Sequence, residues 1–342
     1  MYKMLLSVCQ NCAATLAFTI RLPTMRILID ISGLTITLGV CIAFAGCTTS
    51  KYTSGNTDKF VLYQRLNYLG PVSEAYFAKH GVQPAVLVGQ RSIEGKGEAV
   101  VDAEVLTQFI ESRVPDPGSR AMIVLDWEGE AMKVLNAGEG ASPLKYQRYY
   151  RGFTEAYRLV KEIRPNATVG YYGFPIRDYW NRNASWRQKN RGLDTLISQF
   201  DAVFPSVYDF YNNRLSDKSD SLYVADNIKE ALLMGQRIGR PVYPFVWHRY
   251  HPSNKKVGRQ LIPIPEWSDH LRNIVNTNIN GQRVNGLFWW SNEYGKFIQG
   301  QRTESDKKAL KQNFEQHIDQ YIVDYLDAAL QAVKVKTDAK QE

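Results

Sequence analysis

Beyond Cys47 the chain has no cysteine; Cys9, Cys12, Cys41 and Cys47 are all it contains. The body therefore forms no internal disulfide, and thiolate chemistry cannot be built there. Cys9 and Cys12 have C-x-x-C spacing, but they fall in a leader-like stretch and carry no metal or redox reading. The chain also lacks a glycine-rich phosphate turn, which sets aside a dinucleotide-binding fold. Acidic charge is in deficit: 34 Asp and Glu face 42 Lys and Arg, for a formal net charge of +8. Lys3, Arg21, Arg26 and Asp30 are the charged residues of 1–46, so most of the excess lies in the body. A basic body suits a polyanionic partner, polysaccharide or nucleic acid, and equally suits a basic protein with no such partner. The composition, 44% apolar and 22% charged, excludes a disordered chain.

The N-terminus reads as a targeting segment. An apolar run over 31–46 ends in Phe44-Ala45-Gly46-Cys47-Thr48, small residues before a cysteine in the manner of a bacterial lipobox. Cleavage there would leave Cys47 as a lipidated first residue, anchoring the protein to a bacterial envelope membrane. Met25-Arg26 supplies an alternative start with a short basic flank. The run is short of the roughly 20 residues a membrane-spanning helix needs. The organisation that follows is a leader over 1–46, a polar tether over 47–57, a single domain over 58–333 and a polar tail over 334–342.

Aromatics are plentiful, with 20 Tyr and 7 Trp. Flat rings with a polar tip suit sugar binding, and they equally build an aromatic core. From residue 59 on, short β-branched and aromatic runs alternate with helical patterns. The runs cover 60–63, 85–88, 121–125, 168–174, 202–207, 241–246 and 286–290. The helical patterns cover 103–111, 144–164, 193–200, 223–238, 267–278 and 319–336. In 144–164, Phe153, Tyr157, Val160 and Ile163 lie on one stripe. Such alternation predicts an α/β fold with a parallel sheet and crossover helices. Seven runs without a phosphate turn favour a TIM-like (β/α) barrel of about seven to eight parallel strands.

In such a barrel the C-terminal strand ends form the active face. The sequence places chemistry-capable residues there: Asp126 and Glu128; Tyr171, Tyr172 and Asp178; Tyr208 and Asp209; Trp247, His248 and Arg249; Trp290, Asn292 and Glu293. The stretch AMIVLDWEGE over 121–130 is the most telling. Residues two apart in a strand share a face, so Asp126 and Glu128 point one way and Trp127 the other. Two carboxylates closing an apolar strand repel each other and lose hydration, so at least one should hold its proton unusually well. A general acid needs that property. A strand end meeting solvent would give two ordinary surface acids instead.

Five stretches, LDWEGE, RPNATVGYYGFP, FPSVYDF, KEALLMGQRIGRPVYPFVW and GLFWW, together resemble the hyaluronidases of glycoside hydrolase family 56 in order and spacing. The resemblance spans roughly 60–293 and implies a distorted (β/α) barrel. It implies a retaining, substrate-assisted endo-β-N-acetylhexosaminidase acting on a hyaluronan- or chondroitin-like polymer. Glu128 would then be the acid/base, and Asp126 the acid that positions and stabilises the substrate's N-acetyl group. Tyr208 would hydrogen-bond near that group, and Trp290 would wall its subsite. The substrate's acetamido oxygen would be the nucleophile, an exception to the two-carboxylate rule. The chain departs from the pattern in two places. It reads Phe174-Pro175-Ile176-Arg177-Asp178-Tyr179 where relatives carry a cysteine and then a tyrosine, so Tyr179 falls one place late. After the acids it reads Gly129-Glu130-Ala131-Met132, where relatives carry tryptophan, arginine and proline.

Around this core, Tyr171, Tyr172, Tyr179, Asp178, Trp247 and Arg249 are the expected substrate contacts, and the three tyrosines serve equally as barrel core. Arg249 and Arg177 could each meet a uronate carboxylate through a bidentate pair or face solvent. His248 reads as a groove or structural histidine rather than a metal ligand. No metal or other cofactor is expected. The expected partners are an acidic polysaccharide and, through Cys47, a membrane; an exported lipoprotein has no call on nucleic acid, and a monomer is expected. The competing reading is a non-catalytic carbohydrate-binding envelope lipoprotein on a glycosidase-like barrel.

Overall fold

β-Branched and aromatic runs pair side by side because each is apolar on both faces, as central parallel strands are. In the computed structural model, which describes residues 60–67, 69–97, 99–212, 219–292 and 313–338, these runs form β1 (Val61–Leu66), β2 (Gln83–Gly89), β3 (Met122–Asp126), β4 (Thr168–Tyr171), β5 (Phe245–Val246) and β6 (Gly286–Ser291). All pair in parallel, in the order β4-β3-β2-β1-β6-β5. The run over 202–207 joins the two open edges. Phe204 bridges to Tyr172 beside β4, and Val203 and Ser206 bridge to Val242 and Phe245. Backbone bonds hold this seam: Gly173 N–H to Phe204 O at 2.9 Å, Val203 N–H to Pro241 O at 2.9 Å and Phe245 N–H to Pro205 O at 2.8 Å. The sheet thus closes into a distorted α/β barrel of parallel segments, as the run pattern predicts.

The seam is irregular for a chemical reason. Pro205, Pro241 and Pro244 have no N–H to donate, so a continuous ladder cannot form there. That is why the run predicted over 241–246 shortens to Phe245–Val246, and why 202–207 is held by single bridges.

Between the strands lie α1 (Pro71–Lys79), α2 (Ala103–Arg113), α3 (Glu130–Ala137), α4 (Pro143–Ile163), α5 (Ala184–Arg191), α6 (Asp194–Ile197), α7 (Ser219–Ile238) and α8 (Ile264–Asn276). A helical stretch over 313–319 and α9 (Ile322–Asp338) follow β6. Pro143 starts α4 at a position where its missing N–H costs nothing. Phe153 and Val160 of the predicted stripe are fully buried, and Tyr146, Tyr149 and Ala156 join them; Tyr157 and Ile163 are half-buried. α1, α3 and α5 have no counterpart in the expected pattern, and α9 runs to Asp338, past the expected start of the polar tail.

Period-2 alternation sorts the strand residues into two cores. Met122, Val124, Tyr172, Ala202, Phe204, Tyr208, Tyr243, Phe245, Trp247 and Phe288 fill the barrel interior. Ile123, Leu125, Trp127, Val169, Tyr171, Val203, Val207, Leu287 and Trp289 face the helices. Inside, Phe245 and Phe288 stack at 4.0 Å.

Gly170 points inward at the seam. A Cβ there would lie 2.7 Å from both the Ala202 carbonyl oxygen and the Phe204 ring. Gly170→Ala is therefore expected to destabilise the fold by about 1–3 kcal/mol, read as a lowered urea midpoint. An unchanged midpoint would show that the seam yields.

Candidate active site

The phase of β3 decides where its acids go. Trp127 turns outward and is buried, stacking on Phe153 at 5.0 Å and 4° between planes. Its indole N–H donates to Glu94 at 3.2 Å. α4 makes room through Gly152, where a Cβ would come within 2.9 Å of the indole. With Trp127 fixed outside, Asp126 and Glu128 both line a cavity of about 260 Å³ at the C-terminal end of the barrel. They are the only carboxylates among its described lining residues.

The two acids are not equivalent. Asp126 is half-buried, and its Oδ1 is sealed from solvent without a hydrogen-bond partner among the described residues. Burial, then the neighbouring Glu128 charge, pushes its carboxyl up to about 7. Glu128 stands more exposed, at the mouth. Desolvation raises its pKa as well, while the Arg177 guanidinium pulls it back down. The strand end is thus not an ordinary meeting with solvent, and the cavity holds a proton near neutral pH.

Aromatic rings form the opposite wall. Tyr208 lies parallel to Trp290 at 5.9 Å and to Tyr172 at 6.2 Å. Trp247 meets Trp290 edge-on at 5.2 Å and donates its indole N–H to Ser291 Oγ at 3.3 Å. Tyr172 donates to Ser206 Oγ at 2.9 Å. Burial raises the pKa of both Tyr172 and Tyr208, so each keeps its hydroxyl proton at neutral pH.

Arg177 reaches in from the loop after β4. It donates to the Tyr172 hydroxyl at 3.4 Å and also to Ser206 Oγ. Its Nη2 meets His251 Nε2 at 3.3 Å. Desolvation and the Arg177 charge push the His251 imidazole down to about 4. The ring is therefore neutral at pH 7 and accepts from Arg177, which can only donate.

Of the residues expected at the site, Asp126, Glu128, Tyr172, Arg177, Tyr208, Trp247 and Trp290 meet around this cavity, with Asn292 beside them. Tyr171, Asp178, Tyr179, Asp209, His248 and Arg249 do not line it. Tyr171 has the opposite phase to Tyr172; it packs on Phe153 and Phe200 and donates to the Phe153 carbonyl at 2.8 Å. Asp178 caps its own turn, accepting from the Trp180 and Asn181 N–H groups at 2.8 and 2.7 Å. Tyr179 donates to Asp220. Arg249 turns away, donating to the Arg259 carbonyl at 2.9 Å and to Tyr321 at 3.3 Å. His248 is structural: its Nδ1 accepts the Trp289 indole N–H at 2.9 Å. Glu293, Cys47 and the apolar run before it lie outside the described residues.

His251, Arg259 and Ser206 escaped the sequence reading. Ser206 was within reach, since it shares the phase of Phe204 and Tyr208. His251 and Arg259 sit on the loop after β5, where no periodicity fixes direction. Among the described residues, no cluster of His, Cys, Asp and Glu could hold a metal ion.

Comparison with known proteins bears on this arrangement. The hyaluronidase family, glycoside hydrolase family 56, has a sequence model that matches residues 141–336, more than half of the chain. That segment begins after the acid pair. Mouse (Mus musculus) hyaluronidase-1 is 22% identical over 262 residues, covering 65% of this chain and 53% of the mouse protein. Honeybee (Apis mellifera) hyaluronidase is 26% identical over 117 residues, covering 31% of this chain and 30% of the bee protein. The chain thus spans about half the length of these relatives or less. The crystal structure of bee venom hyaluronidase superimposes with a TM-score of 0.55 at 16% identity, covering 78% of this chain and 99% of that one. Its complex with a hyaluronic acid tetramer gives a TM-score of 0.55 at 15% identity. At such identities the structural likeness concerns the fold.

The raised pKa of Asp126 has a consequence for stability. A carboxyl that titrates near 7 when folded and near 3.8 when unfolded contributes stability below pH 4. That contribution is lost as pH rises through 7. Asp126→Asn removes the titration. Its stability relative to the native chain should therefore grow between pH 4 and pH 8 by an amount on the order of a few kcal/mol. Denaturant melts at the two pH values check this, and parallel pH dependence in both proteins would refute the shift.

Proposed function

Because the chain belongs to the hyaluronidase family, glycoside hydrolase family 56, we propose that it is a retaining endo-β-N-acetylhexosaminidase acting on a hyaluronan- or chondroitin-like polysaccharide. The observation that carries this reading is the half-buried Asp126 carboxyl set beside the accessible Glu128 carboxyl in one cavity. Because Asp126 lines the cavity, a donor on a bound substrate can reach its carboxylate. The acetamido N–H of an N-acetylhexosamine is such a donor. The cavity wall supports the same reading, because among its described lining residues there is no third carboxylate to serve as nucleophile.

The sugar's acetamido carbonyl oxygen attacks its own anomeric carbon. As that bond forms, the glycosidic C–O bond breaks and its electron pair goes to the leaving oxygen. Glu128 gives that oxygen its proton. Asp126 accepts the acetamido N–H and stabilises the positive charge of the cyclic oxazolinium ion. A water molecule then attacks the anomeric carbon from the vacated side and yields its proton to Glu128. The ring opens, the acetamide is restored, and the configuration is retained. Holding nucleophile and electrophile within one sugar exploits effective molarity.

In the free protein Asp126 competes with Glu128 for the shared proton, and such a pair titrates as a unit. Substrate binding resolves the competition. An N–H donated to Asp126 favours its ionised form, while a sugar covering Glu128 desolvates it and favours its protonated form. The proton therefore moves to the acid at the leaving oxygen. Tyr208 and Trp290 provide flat faces for the acetamido-bearing ring.

Glu128→Gln should lower the turnover of hyaluronan or chondroitin by about 100-fold or more, measured as reducing ends released. Activity should also decline as pH rises past about 7, where the pair loses the proton the acid must donate. Wild-type turnover in the variant, or no release of reducing ends by the native protein alongside measurable polysaccharide binding, would favour a non-catalytic sugar-binding protein. For location, the lipobox-like stretch before Cys47 supports a lipid-anchored protein of a bacterial envelope. Palmitate labelling should be lost on Cys47→Ala, and label retained in that variant would rule the anchor out.

A further inference from the structure

Trp180 is 72% exposed, although a tryptophan gains more than most residues from burial. Its loop leaves the cavity wall at Arg177, and it is held on both sides. The Asp178 N–H donates to Asn227 Oδ1 at 3.3 Å, and Asn227 Nδ2 returns a bond to the Asp178 carbonyl at 3.0 Å. The Asp178 carboxylate gathers the N–H groups of Trp180 and Asn181. Arg182 pairs with Asp226 at 3.0 Å, tying the loop to α7. Beneath the exposed indole, Tyr179 meets it edge-on at 4.5 Å and is itself fixed to Asp220, which also accepts the Tyr211 N–H at 3.0 Å. An indole kept in water on a braced loop is preorganised for a flat ligand.

The platform is continuous with the cavity. From His251 in the cavity wall, aromatic contacts step outward to Phe210 at 4.5 Å, to Tyr179 at 5.4 Å and to Trp180 at 4.5 Å. Tyr211 flanks the outer end, 6.3 Å from the indole. We propose that Trp180, with Tyr211 beside it, is an outlying subsite that stacks on a pyranose ring of the polysaccharide, beyond the sugars held at Asp126 and Glu128. The occupant is a stretch of the same chain that threads the cavity, and this rests on the glycosidase reading above. It gives Asp178 and Tyr179 a role that their absence from the cavity leaves open: both brace the indole.

The test separates the subsite from the catalytic reading. Binding of hyaluronan and chondroitin oligosaccharides of increasing length is measured for Glu128→Gln and for Glu128→Gln combined with Trp180→Ala. Affinity should rise with length in the first protein. The rise should be cut by about 5-fold in the second and partly restored by Trp180→Phe. Equal length dependence in both proteins overturns the subsite and leaves the catalytic reading standing. No binding of any oligosaccharide by Glu128→Gln overturns both. A loss of self-association on Trp180→Ala with unchanged sugar affinity assigns the indole to a contact between copies and also overturns the subsite.

Discussion

The packing of Trp127 against α4 is the constraint on which the acid pair depends. A strand end is free to rotate or fray, and its side chains would then find water. Here the indole lies flat on Phe153, fills the space that Gly152 leaves open, and is bonded at its nitrogen by Glu94. Removing any of these would loosen the phase of the strand end. With the phase held, the flanking carboxylates have no alternative to the cavity. A hydrophobic contact outside the barrel thus sets the electrostatics inside it.

Those electrostatics are a balance rather than a single effect. Burial raises both acids, and their mutual repulsion raises Asp126 further. Arg177 opposes this at Glu128 and so keeps the two apart in proton affinity. The guanidinium is itself held by Tyr172, Ser206 and His251. His251 stays neutral beside it, so the imidazole adds no positive charge to a wall that already holds Arg177 and Arg259. This chain has Ile176-Arg177-Asp178 where a cysteine and a tyrosine would complete the family's pattern, and that difference puts a cation into the cavity, where it lowers the proton affinity of Glu128. The same loop then carries Tyr179 and Trp180 outward. One departure in sequence therefore shapes both the charge of the cavity and the surface beside it.

The sequence by itself determined the alternation of strands and helices, the acid pair at the end of β3, and the shared face of Asp126 and Glu128. These follow from local rules: β-branched runs pair, helical stripes bury, and residues two apart point together. It also contained the phase of 202–208, from which Ser206 could have been read. Tertiary structure decided the rest. Tyr171 and Tyr172 are chemically alike and adjacent, and nothing local says which faces inward; the register with β3 and the contact of Phe204 with Gly170 do. Arg249 lay at a strand end and turned away because the Arg259 carbonyl and Tyr321 captured its donors. His251 and Arg259 reached the cavity from a loop whose direction has no period. The proton affinity of Asp126 likewise belongs to the fold, since desolvation requires neighbours that the tripeptide does not contain.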